Sequence, residues 1–195
     1  MKRSQLVREI VETVALTILI FLVIRFVIQS YHVEGASMQT TLTSDNFVIV
    51  NKVSYLFHAP QRGDVIVFHY PLDTTRDFIK RVIGLPGDTI TVDSTTVTVN
   101  GVLLKEPYVK APFNPIANKW VIPANEYFVM GDNRQVSDDS RDWGCVPKDF
   151  IVGKAVAVYW PSKDWTIINT YPQVYTQIKD NAHPISAQNC TNQTQ

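Results

Sequence analysis

Residues 96–104 read TVTVNGVLL, and this stretch shows most directly how the chain folds. Threonine and valine alternate before Asn100-Gly101, and a second apolar run, residues 102–104, follows the pair. An Asn-Gly pair between two such runs favours a two-residue β-hairpin turn, because both of its residues tolerate positive φ angles. Alternate side chains of a strand point to opposite faces, so one face of this hairpin is expected to be buried. The stretch therefore predicts antiparallel β structure.

Short β-type runs of the same kind continue in both directions along the chain, each bounded by turn residues. They comprise residues 47–50, 65–68, 79–83, 89–92, 127–130 and 155–160. No helical periodicity is evident after residue 30, so we expect a mostly β domain of coiled antiparallel sheets over residues 29–172. The apolar runs then stop, and residues 173–195 are expected to form a polar C-terminal tail whose last residues, 186–195, are frayed.

The N-terminal segment has the composition of a membrane-directed helix. A basic N-terminus, residues 1–9, precedes a charge-free run from residue 13 to residue 24. That run is as short as the apolar region of a cleavable secretory signal, whereas residues 10–28 would extend about 28 Å as a helix and nearly cross a ~30 Å hydrocarbon core. Small or branched residues before Ala36 would also suit cleavage, so this segment alone leaves a retained anchor and a removed signal open. In both cases the basic end stays in the cytoplasm and the rest of the chain is delivered outside.

The composition narrows the classes of protein to which the chain can belong. It has 18 basic and 18 acidic side chains, so no overall positive charge favours binding to nucleic acid. Cys145 and Cys190 match no zinc or redox spacing, and the sequence leaves open whether they pair or stay free. The four histidines are scattered without the spacing of metal ligands. We therefore expect no metal and no other cofactor.

Lys80 has an unusual sequence environment, because it directly follows the apolar pair Phe78-Ile79 in a predicted strand. It could simply face outward into solvent. A lysine held in an apolar site behaves differently, since desolvation lowers its pKa far below the ordinary value of about 10.4. Such a lysine can be neutral near pH 7 and can then accept a proton.

Two further segments concentrate polar and turn residues beside apolar runs. Residues 131–141, GDNRQVSDDSR, follow the predicted strand 127–130, and residues 35–42, GASMQTTL, follow the membrane-directed run. The first does not have the glycine and glutamate spacing of a calcium loop and could be a solvated loop. The second contains Ser37, and a single serine is more often structural than nucleophilic.

Together and in this order, these segments resemble the sequence boxes of bacterial type I signal peptidases. That family has a membrane anchor followed by S-M-x-P-T-L, G-D-[V/I]-[V/I]-x-F, K-R-x-x-G-x-P-G-D and G-D-N-x-x-x-S-x-D-S-R. The matching residues here are 37–42, 63–68, 80–88 and 131–141. The resemblance extends from the anchor to about Trp160. It implies that residues 10–28 are retained as an uncleaved transmembrane span.

The resemblance also implies a serine endopeptidase that removes signal peptides from exported proteins. Ser37 matches the nucleophile and Lys80 matches its general base, a Ser–Lys variant of the catalytic triad. Ser137 matches a serine that orients the lysine amine. The backbone N–H of Ser37 would stabilise the oxyanion, and Gly35 matches a glycine whose amide contributes in part of the family.

The remaining matches concern substrate pockets and ion pairs. The positions that match the pockets for the −1 and −3 side chains of the substrate are Tyr31, Val33, Met38, Leu42, Phe78 and Ile79. Small apolar pockets admit alanine and exclude larger side chains by overlap, which implies cleavage at A-x-A sites. The positions that match structural ion pairs are Asp132 with Arg81 and Asp139 with Arg141.

The implied partners are the signal peptides of preproteins that emerge from the export machinery, and membrane lipid, without nucleic acid. The implied location is the cell membrane, with a single pass, a cytoplasmic N-terminus and an extracytoplasmic catalytic domain.

Thr40 departs from the family pattern, which has proline at this position. Proline would stiffen the chain after the nucleophile, so we expect lower rigidity here and retained activity. The departure keeps a catalytically weak or inactive, membrane-tethered, peptide-binding paralogue as an alternative. Two others are a self-cleaving repressor-type Ser/Lys protease, which the apolar N-terminal run argues against, and a secreted β-domain hydrolase, which N-terminal sequencing would identify.

Overall fold

The computed structural model describes residues 3–93, 95–110, 117–179 and 190. Its α-helices are α1 (Arg3–Val27), α2 (Ser54–Phe57) and α3 (Ser140–Trp143), and 3-10 turns lie at Lys148–Phe150, Ser162–Asp164 and Pro172–Val174. Its strands are β1 (Ile28–His32), β2 (Phe47–Asn51), β3 (Val65–Tyr70), β4 (Asp73–Gly84), β5 (Thr89–Val92), β6 (Val97–Val99), β7 (Val102–Leu103), β8 (Asn118–Val121), β9 (Glu126–Met130), β10 (Val146–Pro147), β11 (Ile151–Trp160) and β12 (Thr166–Ile167).

Helix α1 stands apart from the β domain, and its side chains from residue 5 to residue 26 are exposed. The segment Gln5–Val27 is long and apolar enough to cross a membrane, judged by length and composition. Thr13 and Thr17 each donate their hydroxyl to the carbonyl four residues earlier, at 2.8 Å. These bonds satisfy the polar groups within the helix, as an apolar environment requires.

Helix α1 contains the predicted span 10–28 except for its last residue, and it begins before that span. It begins at Arg3, where its first turns are supported by an ion pair between Arg8 Nε and Glu12 Oε1 at 2.7 Å. It ends at Val27, because Ile28 already pairs with Asn51 at the start of β1.

The described β domain contains two antiparallel sheets, which confirms the predicted mostly β fold. The larger sheet has the strand order β1-β2-β11-β3-β4-β9-β10, with β12 paired to β11. The smaller sheet has the order β7-β6-β5-β8. Strands β1, β8, β10 and β12 were not predicted, because they are short or polar and acquire their strand conformation from the neighbours with which they pair.

The hairpin predicted at Asn100-Gly101 is present between β6 and β7. Asn100 and Gly101 have φ angles of 52° and 79°, as a two-residue turn of this kind requires. Val97 and Val99 are buried on the inner face of the small sheet and pack with residues of β9 from the large sheet. The local pattern therefore determines the turn, while burial determines which face of the hairpin points inward.

Strand β4 is the element that positions the candidate site. Residues 73 to 81 pair with β3, whereas β9 pairs with β4 only from Arg81 onward. The second edge of β4 before Arg81 is consequently not covered by β9. This edge faces the cavity described below.

The first part of the predicted polar tail, residues 173–195, packs against the β domain. Tyr175 and Ile178 are buried in the core beneath the small sheet. Further along, Cys190 forms a disulfide with Cys145. The remainder of the predicted tail, 180–189 and 191–195, lies outside the described residues. The few apolar side chains of this segment were too widely spaced in sequence to indicate that the core would bury them.

Candidate active site

Ser37 and Lys80 meet although 43 residues separate them in the chain. Lys80 Nζ lies 2.8 Å from Ser37 Oγ. Ser37 is in a turn between β1 and β2, which we call the serine turn (residues 35–42), and Lys80 is in the middle of β4. This contact is the geometry that a serine nucleophile and a lysine base require.

The serine turn is held by its own backbone bonds and by two buried side chains. Leu42 N donates to Met38 O at 2.8 Å, and both side chains are almost fully buried, with exposures of 0% and 1%. Ser37 O accepts a 2.9 Å bond from Asn133 N, which joins the turn to the loop after β9. Gly35 has a φ angle of 90°, a conformation that favours glycine. Ser37 is thus presented from a fixed backbone.

Lys80 is buried, with only 5% of its surface exposed. Burial lowers the pKa of the Lys80 ammonium, because the charged form loses hydration. The carboxylates of Asp139, Asp138 and Asp132 act in the opposite direction and raise that pKa. Desolvation is the largest influence, so the pKa remains lowered, which favours the neutral amine that can accept a proton.

Two of these carboxylates, those of Asp132 and Asp139, form ion pairs with arginine side chains. Arg81 binds Asp132 through two bonds, Nε to Oδ1 at 2.8 Å and Nη2 to Oδ2 at 2.7 Å, and both side chains are buried. Arg141 binds Asp139 in the same way, at 2.8 Å and 2.9 Å. Both ion pairs implied by the sequence are therefore present. A buried carboxylate with a bidentate arginine partner holds geometry rather than carrying a free charge.

The loop 131–141 is fixed mainly by Asp139. This side chain caps the N-terminus of α3 in a capping box with Asp142, and it also accepts a 3.0 Å bond from Gly131 N. Gly131 is packed so closely that an added Cβ would overlap Ser37 O and Ser137 Oγ. The loop therefore carries Ser137 up against the backbone of the serine turn.

Ser137 Oγ is buried and has no hydrogen-bond partner within the part of the chain that the structure describes. The bond to Lys80 that its implied role requires is not formed in this conformation. A buried hydroxyl without a partner is uncommon in proteins.

A cavity of about 500 Å³ opens beside Ser37 and Lys80. Its lining includes Gly35 and four of the residues predicted for the substrate pockets, namely Tyr31, Val33, Phe78 and Ile79. The lining residues that sequence reasoning did not identify are His32, Glu34, Ala36, Val48, Val67, Arg76, Asp77, Val136 and Asp138. Most of these residues are sequence neighbours of predicted site residues. Arg76 lies two positions before Phe78, and tertiary packing alone brings Val48 and Val67 to the cavity.

Met38 and Leu42 were also predicted for the pockets, and the structure places them behind the lining of the cavity. They do not line the cavity but are buried in the core cluster beneath it, together with Val33, Val48 and Val67. Their side chains leave the serine turn on its inner side, where the apolar sheet accepts them. They support the apolar wall of the cavity instead of forming its surface.

Among the described residues, one group of three side chains of the types that ligate metals lies close together, namely Glu126, Cys145 and Cys190. The two sulfurs are joined in a disulfide and offer no thiolate to a metal.

The family model and the relatives that match this chain all carry the name signal peptidase. A model described as signal peptidase, peptidase S26, matches residues 6–160. A signal peptidase I of Leptolyngbya laminosa is 41% identical over 162 residues, covering 78% of this chain and 79% of the relative. A probable signal peptidase I-1 of Synechocystis is 37% identical over 177 residues, covering 86% and 89%. Signal peptidase IB of Staphylococcus aureus is 33% identical over 183 residues, covering 84% and 94%. A signal peptidase I crystal structure from Enterococcus faecalis has 35% identity and a TM-score of 0.45, covering 49% of this chain and 95% of that chain.

Proposed function

The chain belongs to the signal peptidase family, peptidase S26, and from this premise we propose that it is a membrane-anchored serine endopeptidase that cleaves signal peptides from exported preproteins. The proposed cleavage sites follow small residues, in the A-x-A pattern. The observation that carries the proposal is the 2.8 Å contact between Lys80 Nζ and Ser37 Oγ beside a partly apolar cavity.

In the proposed mechanism, Lys80 acts as the general base. Its neutral amine takes the proton from the Ser37 hydroxyl while Oγ attacks the scissile carbonyl. The ammonium then protonates the leaving amine of the mature protein, which leaves the signal peptide as an ester on Ser37. Lys80 next takes a proton from water, and the resulting attack releases the signal peptide and restores the hydroxyl.

The backbone around Ser37 supplies the proposed oxyanion site. The N–H of Ser37 and that of Gly35 are the candidate donors, and Gly35 has open space where a side chain would be. Ser137 remains the proposed orienting group for Lys80. Its buried, unpartnered hydroxyl supports this role, because such a group gains a partner if the ammonium turns away from an acylated Ser37.

The open edge of β4 suits an extended substrate. A peptide that pairs with residues 77–79 would add a strand to the sheet and bring its scissile bond toward Ser37. Val33, Val48 and Val67 give the cavity an apolar wall beside that path. A wall of rigid branched side chains accepts alanine and rejects larger groups by overlap.

The proposed location is the cell membrane, with a single span, a cytoplasmic N-terminus and an extracytoplasmic β domain. The exposed apolar helix supports the anchor, and the Cys145–Cys190 disulfide supports an oxidising compartment for the domain. The proposed partners are preprotein signal peptides and membrane lipid. The anchor proposal predicts that the protein stays with membranes under alkaline carbonate extraction, and recovery as a soluble chain lacking its first residues would contradict it.

The deciding experiment is cleavage of a preprotein with an A-x-A junction by the purified full chain in detergent. We expect cleavage by the wild type and none by Ser37→Ala or Lys80→Met, with each variant folded. The double variant should be no worse than either single one, because the two groups act as a unit. Substantial turnover by Lys80→Met would refute Lys80 as the base. Binding of the preprotein without cleavage by the wild type would instead favour the inactive, peptide-binding paralogue.

A further inference from the structure

The hydroxyl of Thr41 joins the two halves of the candidate active site. Thr41 Oγ1 donates to Asp132 Oδ2 at 2.5 Å and accepts from Arg81 Nη2 at 3.3 Å. Thr41 lies in the serine turn, Arg81 in β4, and Asp132 in the loop after β9. A single side chain of the serine turn therefore contacts the two other segments that build the site.

Each hydrogen-bond partner of the Thr41 hydroxyl is the sequence neighbour of a residue that bonds to Ser37. Arg81 directly follows Lys80 in β4. Asp132 directly precedes Asn133, whose N–H holds the carbonyl of Ser37 at 2.9 Å. A shift of Thr41 relative to this ion pair would consequently change the position of Ser37 relative to Lys80.

We propose that Thr41 is a positioning residue, whose hydroxyl sets the placement of the Ser37 Oγ against the Lys80 amine. This inference rests on the proposed function. Thr41 does not line the cavity and acts through its neighbours, so its effect falls on turnover rather than on substrate binding.

The chemistry of the contact limits which residues can replace threonine. The position needs a group that donates to a carboxylate and accepts from a guanidinium, and a hydroxyl does both. Valine has the same shape without either capacity, whereas serine keeps both. The Arg81–Asp132 pair retains its two direct bonds without Thr41, and Arg81 also donates to the carbonyls of Gly63 and Asn169. The domain is therefore expected to fold without the Thr41 hydroxyl.

The test compares Thr41→Val, Thr41→Ser and Thr43→Val in the full chain, with a preprotein that has an A-x-A junction as substrate. Thr43 is an exposed threonine two positions along, and no hydrogen bond of its side chain is recorded in the described residues, so it controls for the substitution itself. We expect kcat to fall about 100-fold in Thr41→Val, the loss typical of a misplaced reacting group, with KM unchanged. Thr41→Ser and Thr43→Val should stay close to the wild type.

Rates are measured per folded molecule, well below the melting temperature of each variant. This separates a positioning role of Thr41 from a purely structural one. Wild-type kcat in Thr41→Val, or equal losses in Thr41→Val and Thr41→Ser, would overturn the inference. If Thr41→Val does not fold, Thr41→Ala replaces it, and failure of both to fold would also overturn the inference, since the hydroxyl would then be a requirement of the fold. Cleavage by the wild type but not by Ser37→Ala, together with an unaffected Thr41→Val, refutes the inference alone. Absence of cleavage by the wild type refutes the proposed function and the inference with it.

Discussion

Lys80 is subject to two opposing influences that the surrounding residues set. Burial in β4 lowers its pKa, whereas the carboxylates of Asp139, Asp138 and Asp132 raise it. Asp132 and Asp139 are each neutralised by an arginine. Asp138 is exposed, lines the cavity, and has no ion pair recorded in the described part of the chain. Asp138 is thus the carboxylate that can change the charge on Lys80 without disturbing the fold.

A pH–rate profile tests this balance at the level of single residues. Because only the neutral amine acts as base, kcat/KM should rise with pH as Lys80 loses its proton, below the ~10.4 of a solvated lysine. Asp138→Asn should move the rising limb to lower pH, since it removes a charge that raises the pKa of Lys80. Asp149→Asn, at an exposed aspartate that does not line the cavity, is the matched control and should leave the limb in place. A rising limb found only above about pH 10 would contradict a desolvated Lys80 base.

The same lysine makes stability depend on pH. Its pKa is lowered in the folded state, so between that pKa and about 10.4 the unfolded chain binds more protons than the folded chain. The contribution of Lys80 to the free energy of unfolding is therefore fully present above about pH 10.4. It is lost as pH falls through the pKa of Lys80 in the folded state.

Lys80→Met removes the group whose protonation lowers stability at low pH, and it keeps a long apolar side chain in the same place. We expect Lys80→Met to unfold at higher urea concentration than the wild type at about pH 6, with the difference shrinking toward about pH 10. Tryptophan fluorescence would follow the unfolding. A difference that grows with rising pH would mean that burial does not lower the pKa of Lys80.

Among the structural elements, the contact between the serine turn and the loop 131–141 decides whether the site assembles. Gly131 lies where these two segments approach most closely, and a Cβ there would overlap Ser37 O and Ser137 Oγ. Both atoms lie on segments held by other bonds: Asn133 N bonds to Ser37 O, and the Asp139 cap orders the loop. Neither segment can move without losing one of these bonds.

Gly131→Ala should accordingly separate the two segments and reduce kcat by about 100-fold or more, through misplacement of Ser37. Gly101→Ala is an informative comparison, because it strains a positive φ in the small sheet but has open space for its Cβ. It should lower the melting temperature while leaving the rate per folded molecule unchanged. Equal effects of the two substitutions on that rate would show that glycine strain, rather than the close approach, explains the loss.

For the whole molecule, the Cys145–Cys190 disulfide ties a residue near the C-terminus to the residue that directly precedes β10. The two cysteines are 45 residues apart, so the link removes considerable conformational freedom from the unfolded chain. Both cysteines lie in the core cluster that also contains Tyr175 and Ile178. Tyr175, Ile178 and Cys190 are consequently part of the core of the β domain.

Cys190→Ser should lower the free energy of unfolding by about 2–4 kcal/mol. Reducing agent should destabilise the wild type by a similar amount and leave Cys190→Ser unaffected, as measured by urea unfolding with and without dithiothreitol. Equal sensitivity of both proteins to the reductant would contradict the pairing.

The sequence by itself determined the features that depend on near neighbours. The Asn100-Gly101 turn is set by two residues that accept positive φ, and the exposed N-terminal helix is set by an apolar run that is charge-free over residues 13–24. The motifs around Ser37, Lys80 and residues 131–141 were recognisable because their residues follow each other at short, fixed spacings. These features require no knowledge of what lies across the sheet.

Only the tertiary structure decided the features that depend on residues distant in the chain. The burial of Lys80, the placement of Met38 and Leu42 beneath the cavity, and the joining function of Thr41 each arise from contacts between separate segments. The same holds for Tyr175 in the core of the domain. A residue's type indicates what it can bind or bury, but its exposure and its pKa are set by the segments packed against it, and local sequence does not encode that packing.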